Sequence, residues 1–268
     1  MHHRGSSVSG ERILLVDSAD GPITDLVRAT ALVIDHAGLP VALIGGLAVT
    51  CRLAAAHRVT QDVDLVAETP MDLVAEPGSV ADNLVSAGVA RAATDTSSIR
   101  LFIGETKVEI IETERLDSNE AADIEPERSR LFVLAHRWAL ETATAMTISV
   151  TDAEVQVTLP VATPAALVTM KLHSIQDRSQ DNKRASDAWD LFRLLQAHNA
   201  GGEITAAIAG GPPGLAPLVA GALDRIFRID VTRTRRWIHG YGEPAWTQLM
   251  TDDALADLAT EVIEGLTE

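Results

Sequence analysis

The strongest constraint on the fold lies in residues 41–67, where the apolar run Val41-Ala42-Leu43-Ile44 meets Gly45-Gly46 and a second apolar run carries Asp62-Val63-Asp64-Leu65. The first run predicts a buried strand, and the paired glycines let the backbone turn tightly with no Cβ in the way. Leu47, Ala48, Leu53 and the alanines that follow, uninterrupted by proline, predict a helix from 47 to about 56. Gly45 and Gly46 therefore sit at a strand-to-helix turn. Bare backbone N–H groups and the positive end of the helix dipole suit a phosphate there.

The second run adds chemistry. Period two places Asp62 and Asp64 on one face of a strand, with Val63 and Leu65 turned into a core. Two carboxylates held together repel unless a cation lies between them, and hard oxygen donors suit magnesium carrying substrate phosphates. A third acid is available in Lys107-Val108-Glu109-Ile110-Ile111, where alternation puts Glu109 on a face with Lys107. Glu112 and Glu114 remain alternatives to Glu109. Three acids can hold two magnesium ions, or manganese, about 3.5–4 Å apart, which activates an attacking oxygen and stabilises a leaving one in phosphoryl or nucleotidyl transfer. Between the runs, Thr60 can bond the loop or a phosphate, or serve only as a turn residue. Arg58 fits a triphosphate contact or a surface salt bridge.

Gly45-Gly46 followed by Arg58, Thr60, Asp62 and Asp64 in the order RxTxDxD resembles the signature of the polymerase-β-like nucleotidyltransferase fold, in the form found in AbiEii and MenT-type toxins of type IV toxin–antitoxin systems. The likeness recurs downstream. Lys171 within the helical run 166–173, then Lys183 and Asp187-Ala188-Trp189-Asp190, is similar to the family's second block, a helical lysine before a helix bearing DxxD. At the third acid the family more often has Asp than Glu. The resemblance implies catalytic and metal-binding roles for Asp62, Asp64 and Glu109. It implies contact with the nucleotide from Gly45, Gly46, Arg58, Thr60, Lys171 and Asp190, and a catalytic role for Lys171 and Asp187. It further implies an NTP donor, the 3′ end of tRNA as acceptor, and a separately encoded antitoxin as partner.

The residues themselves leave room for simpler roles. Lys171 has apolar neighbours Leu167, Val168 and Leu172, so its ammonium either snorkels to an edge or points into a cleft. Asp187 and Asp190 share a helical face at i, i+3, either positioning Lys171 or a substrate hydroxyl, or standing as ordinary solvated acids. Lys183 and Arg184 precede that helix.

A net charge of −16 disfavours indiscriminate nucleic-acid binding, because the long-range field repels phosphate. Against that background Arg225, Arg228, Arg233, Arg235 and Arg236 form the sharpest local contrast, read either as a solvated helix face or as an RNA- or nucleotide-binding patch. Aromatic residues are only 3% of the chain, so an aromatic platform for stacking bases is not expected. The lone Cys51 has no partner for an intramolecular disulfide and reads as apolar filler in a reducing compartment. No apolar run is long enough to span a bilayer, and the expected location is cytoplasmic.

Elsewhere, apolar spacing predicts a helix over 22–36 with Pro22 at its start, a possible edge strand at 13–16, and breaks at 69–70 and 77–78. It also predicts a helix over 80–87, a hairpin over 99–111, a helix within 125–142 and paired strands at 146–150 and 155–159 around a turn at 151–153. Beyond Pro160 the chain turns helical, over 164–171, about 183–198 and two further stretches after 210–214. The expected protein is α+β: residues 1–160 form a nucleotidyltransferase domain with a mixed sheet and flanking helices, and 161–268 form a helical substrate-binding domain. The expected activity is metal-dependent transfer of NMP from an NTP to an acceptor hydroxyl. A transferase acting on a small molecule or protein hydroxyl is the second reading, and a non-catalytic binding module the third.

Overall fold

The computed structural model describes residues 11–15, 23–55, 57–69, 79–93, 99–114, 118–151, 155–241, 247 and 250–267. Among them the strands are β1 (Glu11–Leu15), β2 (Val41–Ile44), β3 (Asp62–Glu68), β4 (Arg91–Ala92), β5 (Ile99–Ile103), β6 (Thr106–Thr113), β7 (Thr144–Val150) and β8 (Val155–Val161). They form one mixed sheet in the order β1-β7-β8-β2-β3-β6-β5-β4. The hairpin expected over 99–111 is β5–β6, and the pair expected at 146–159 is β7–β8. The edge strand near residue 13 is β1, which runs parallel to β7. Pro22, the break at 77–78 and the turn residues 152–153 lie outside the described residues, as do Val16, Pro70 and Ala56.

The helices are α1 (Ile23–His36), α2 (Gly45–Leu53), α3 (Val80–Ser86), α4 (Ser118–Ala122), α5 (Glu127–Thr142), α6 (Pro164–Asp177) and α7 (Asp181–His198). They continue as α8 (Glu203–Ala209), α9 (Leu215–Leu223), a π-helical turn (Asp224–Ile229), α10 (Val231–Tyr241) and α11 (Asp252–Thr267). One side of the sheet is covered by α1, whose Leu26, Val27, Thr30 and Val33 are buried at helical spacing. It packs across β8, β3 and β6, the stretch of sheet that contains β2. Val63, Leu65, Val108 and Ile110 fill that layer and are all less than 5% exposed. Each such side chain contributes about 1.5–3 kcal/mol of burial. The other side carries α5 against β2, β3 and β6, and α6 against α5.

Beyond Val161 the described chain is helical. Thr163 caps α6 by accepting the Ala166 N–H, and Pro164 occupies the first helical position, where its missing N–H costs nothing. Arg52, at the end of α2 and only 6% exposed, ties that helix to β1, β7 and the end of β8. It donates to the carbonyls of Ala162 at 2.8 Å and Val161 at 2.6 Å, to Thr144 Oγ1 at 2.7 Å and to Glu11 at 3.0 Å. The helix α2 ends at Leu53, short of the expected 56. Ala54 adopts a left-handed conformation and returns its N–H to Thr50 and Cys51, which closes the helix. Lys183 and Arg184 fall in the first turn of α7, because that helix begins at Asp181.

Candidate active site

The site begins where β2 hands over to α2. Gly45 has a φ of 70°, a conformation that L side chains rarely adopt, and a Cβ there would collide with the Asp64 carboxylate. At Gly46 a Cβ would lie 2.7 Å from Arg58 Nη2 and 2.9 Å from Thr60 Oγ1. The two glycines thus let Asp64 approach from one side and the RxT segment cross from the other. Thr60 itself is buried and donates weakly to the Asp62 carbonyl at 3.4 Å.

Parallel pairing of β3 with β6 sets the acids in register, Asp62 opposite Lys107 and Asp64 opposite Glu109. One carboxylate oxygen from each of Asp62, Asp64 and Glu109 lies within 4.8 Å of the other two. Glu112 pairs with Ala67 and, three residues from Glu109, falls on the opposite face of the strand. Burial, then the Asp62 charge, pushes the Asp64 carboxyl up to about 6, with Glu109 adding to the rise and Lys171 opposing it. Glu109 behaves in the opposite way. Burial would raise it, but Lys107 Nζ at 2.9 Å and Arg100 Nε at 2.7 Å outweigh burial and hold it below its ordinary value. Lys107 also reaches Asp62 at 3.4 Å.

Facing the acids is a cationic network on α6 and α7. Lys171 Nζ lies 2.7 Å from both Asp187 Oδ1 and Asp190 Oδ2, and the lysine is 6% exposed. Asp190, fully buried, also accepts Arg58 through two nitrogens at 2.7 and 2.8 Å and His57 Nε2 at 2.7 Å. Burial opposes its ionisation, yet Lys171, Arg58 and His57 hold it far below the usual carboxylate range. Arg178, at the end of α6, sits 2.6 Å from Asp187 Oδ2. His57 is pushed down by burial despite Asp190, towards which its Nε2 points, and it stacks on Trp189 at 5.7 Å. Its buried Nδ1 makes no hydrogen bond.

Asp62, Asp64, Glu109, Gly45, Gly46, Arg58, Thr60, Lys171, Asp187 and Asp190 therefore converge on one region. Asp187 and Asp190 are buried counter-charges rather than solvated acids. Arg225, Arg228, Arg235 and Arg236 lie instead on the π-helical turn and α10. The sequence reading gave no role to His57, Arg100, Arg178 or Trp189. Of these only Arg100 left a signal, as the cross-strand partner of Glu109 in the hairpin.

Three hard oxygen donors within 4.8 Å of one another fit a divalent cation, and burial first, then the neighbouring Asp62 charge, raises Asp64. Lys107 and Arg100 supply positive charge to the same oxygens.

A strand–Gly-Gly–helix unit feeding paired acids on the adjacent strand, with a third acid in register beside them, is the arrangement of a nucleotidyltransferase. The chain belongs to the AbiEii family, described as nucleotidyl transferase AbiEii toxins of type IV toxin–antitoxin systems, whose model it matches over residues 27–210. No curated protein sequence matches the chain. Among solved structures it is similar to an antigenic nucleotidyltransferase-like protein from Paracoccidioides brasiliensis, at 18% identity and TM-score 0.46 over 81% of this chain and 93% of that one. It is also similar to the antibiotic-resistance factor ANT(2'')-Ia, at 13% identity and TM-score 0.44 over 77% of this chain and 96% of that one. The complex of ANT(2'')-Ia with adenylyl-2''-tobramycin gives 14% identity and TM-score 0.41 over 76% and 97%. Among the described residues no helix is long and apolar enough to cross a membrane.

Proposed function

We propose that this nucleotidyltransferase transfers NMP from an NTP to the 3′ hydroxyl of tRNA in a divalent-metal-dependent reaction, and acts as the toxin of a toxin–antitoxin pair. The observation that carries the reading is the in-register convergence of Asp62, Asp64 and Glu109 beside the glycine turn of α2. Membership of the AbiEii family supports the toxin role and the antitoxin partner. These three carboxylates would hold magnesium, two ions or manganese in its place, which when bound lowers the pKa of an attacking hydroxyl and offsets phosphate charge.

The remaining steps belong to the chain. The N–H groups at the start of α2 receive a phosphate of the nucleotide, and Gly45 lets Asp64 lie close against that turn. Arg58 and Lys171, fixed by Asp190 and Asp187, present positive charge opposite the acids, where charge builds on the leaving group. The acceptor oxygen bonds to the α-phosphorus as the α–β phosphoanhydride bond breaks and pyrophosphate leaves. Residues 161–268 serve as the substrate-binding half, with the acceptor entering from the α6–α7 side.

Incubation with total tRNA, magnesium and each α-labelled NTP in turn, beside Asp62→Ala/Asp64→Ala, tests this reading. Label in tRNA that the double variant loses supports it. Label on a small molecule or a protein, with none in tRNA, would replace it by a transferase of that acceptor.

A further inference from the structure

We propose that Arg184, Arg225 and Arg233, gathered about the ring of Trp237, form a subsite that grips a backbone phosphate of the acceptor polynucleotide next to its reacting end. The inference rests on the reading of the acceptor as tRNA. The five arginines that look alike in sequence part company in space. Arg228 is held by Asp224 at 2.9 Å, Arg235 by Asp252 at 2.5 Å, and Arg236 donates to the Thr232 carbonyl at 3.3 Å. Arg228 and Arg235 spend their charge on carboxylates, and Arg236 bonds back to its own helix.

Arg233, and Arg184 from α7, instead lie over Trp237, 5.9 and 5.8 Å from the ring centroid, and Arg225 joins them around a cavity of about 150 Å³ that Ile175 also lines. Asp230 also lines this cavity, and Asp181 lies 3.4 Å from Arg184, so three guanidiniums face two carboxylates. In a chain of net charge −16, such a local excess is where a phosphate would settle. Guanidiniums laid on an indole face are already ordered, and their planar donor pairs match phosphate oxygens.

Position decides which phosphate. Arg184 stands one helical turn before Asp187 on α7, and Arg178, which pairs with Asp187, leads out of the α6 end that borders the cavity. The subsite therefore adjoins the cationic arm of the active site without being part of it. The nucleotide's phosphates are received at α2, which leaves this cavity to the phosphodiester of the incoming acceptor. Arg225, Arg233 and Trp237 also lie beyond the stretch that matches the family.

The test is anisotropy of fluorescently labelled tRNA over a salt series, with wild type, Arg225→Glu/Arg233→Glu and a charge-matched control, Arg28→Glu/Arg91→Glu. The proposal expects the glutamate pair to lose at least 10-fold in affinity. It also expects a salt slope shallower by roughly 0.7–0.9, the contribution of one phosphate contact. In turnover the loss falls on KM for tRNA rather than on kcat. If the glutamates lower the melting temperature, Arg225→Gln/Arg233→Gln carries the same expectation in weaker form. Wild-type affinity in these variants, or an equal loss in the control, overturns the subsite and leaves the tRNA reading standing. A wild-type protein that neither binds nor labels tRNA overturns both.

Discussion

Asp190 shows how one side chain can serve a site it never exposes. It lies at 0% exposure and holds Lys171, Arg58 and His57, so its removal leaves the half-buried Arg58 without its carboxylate and the buried Lys171 with Asp187 alone. Breaking a buried pair from one side costs about 3–5 kcal/mol, far more than the net value of an intact pair. Asp190→Ala should therefore lower the urea unfolding free energy by that amount, with Asp190→Asn between it and wild type. Wild-type unfolding in both variants would show the network to be dispensable to the fold. Its partners were only half legible in the sequence. Lys171 and the DxxD spacing could be read from the second block, but Arg58 and His57 are more than 130 positions from Asp190 in the chain. No local pattern records a pairing of that range.

At the scale of elements, the β2–α2 turn and the β3–β6 register do most to form the site. Both followed from local rules: glycines where a strand becomes a helix, and period-two alternation that puts Asp62 with Asp64 and Lys107 with Glu109. What the rules could not supply was the parallel alignment that brings Glu109 opposite Asp64, because strand order is settled by contacts remote in sequence. The same limit hid the join of β1 to β7. Gly45→Ala tests the turn. The left-handed φ costs a non-glycine residue about 1–2 kcal/mol, while the new Cβ strikes Asp64. Activity should fall roughly 100-fold, as expected when a reacting group is displaced by about 1 Å. A variant that keeps wild-type kcat would contradict the close approach of Gly45 and Asp64.

Across the whole molecule, the sheet and the helical half share one continuous core, and α5 and α6 meet at a pair of histidines. His136, buried and donating through Nδ1 to the Phe132 carbonyl, is pushed down to about 4 by burial, with His173 nearby adding to the drop. The unfolded chain binds this proton near pH 6.5 and the folded one only near 4, so stability falls as pH drops through that window, by up to about 3 kcal/mol. Urea midpoints at pH 7 and 4.5 check this, and His136→Gln should flatten the difference. An equal acid loss in that variant would assign the effect to other groups. The reaction rests on the acids of the sheet rather than on these helical histidines. Isothermal titration of magnesium–nucleotide into wild type and Asp62→Ala/Asp64→Ala tests this dependence most directly. Binding should depend on the metal and weaken at least 10-fold in the double variant. Binding of equal strength in both proteins, or binding indifferent to magnesium, would contradict it.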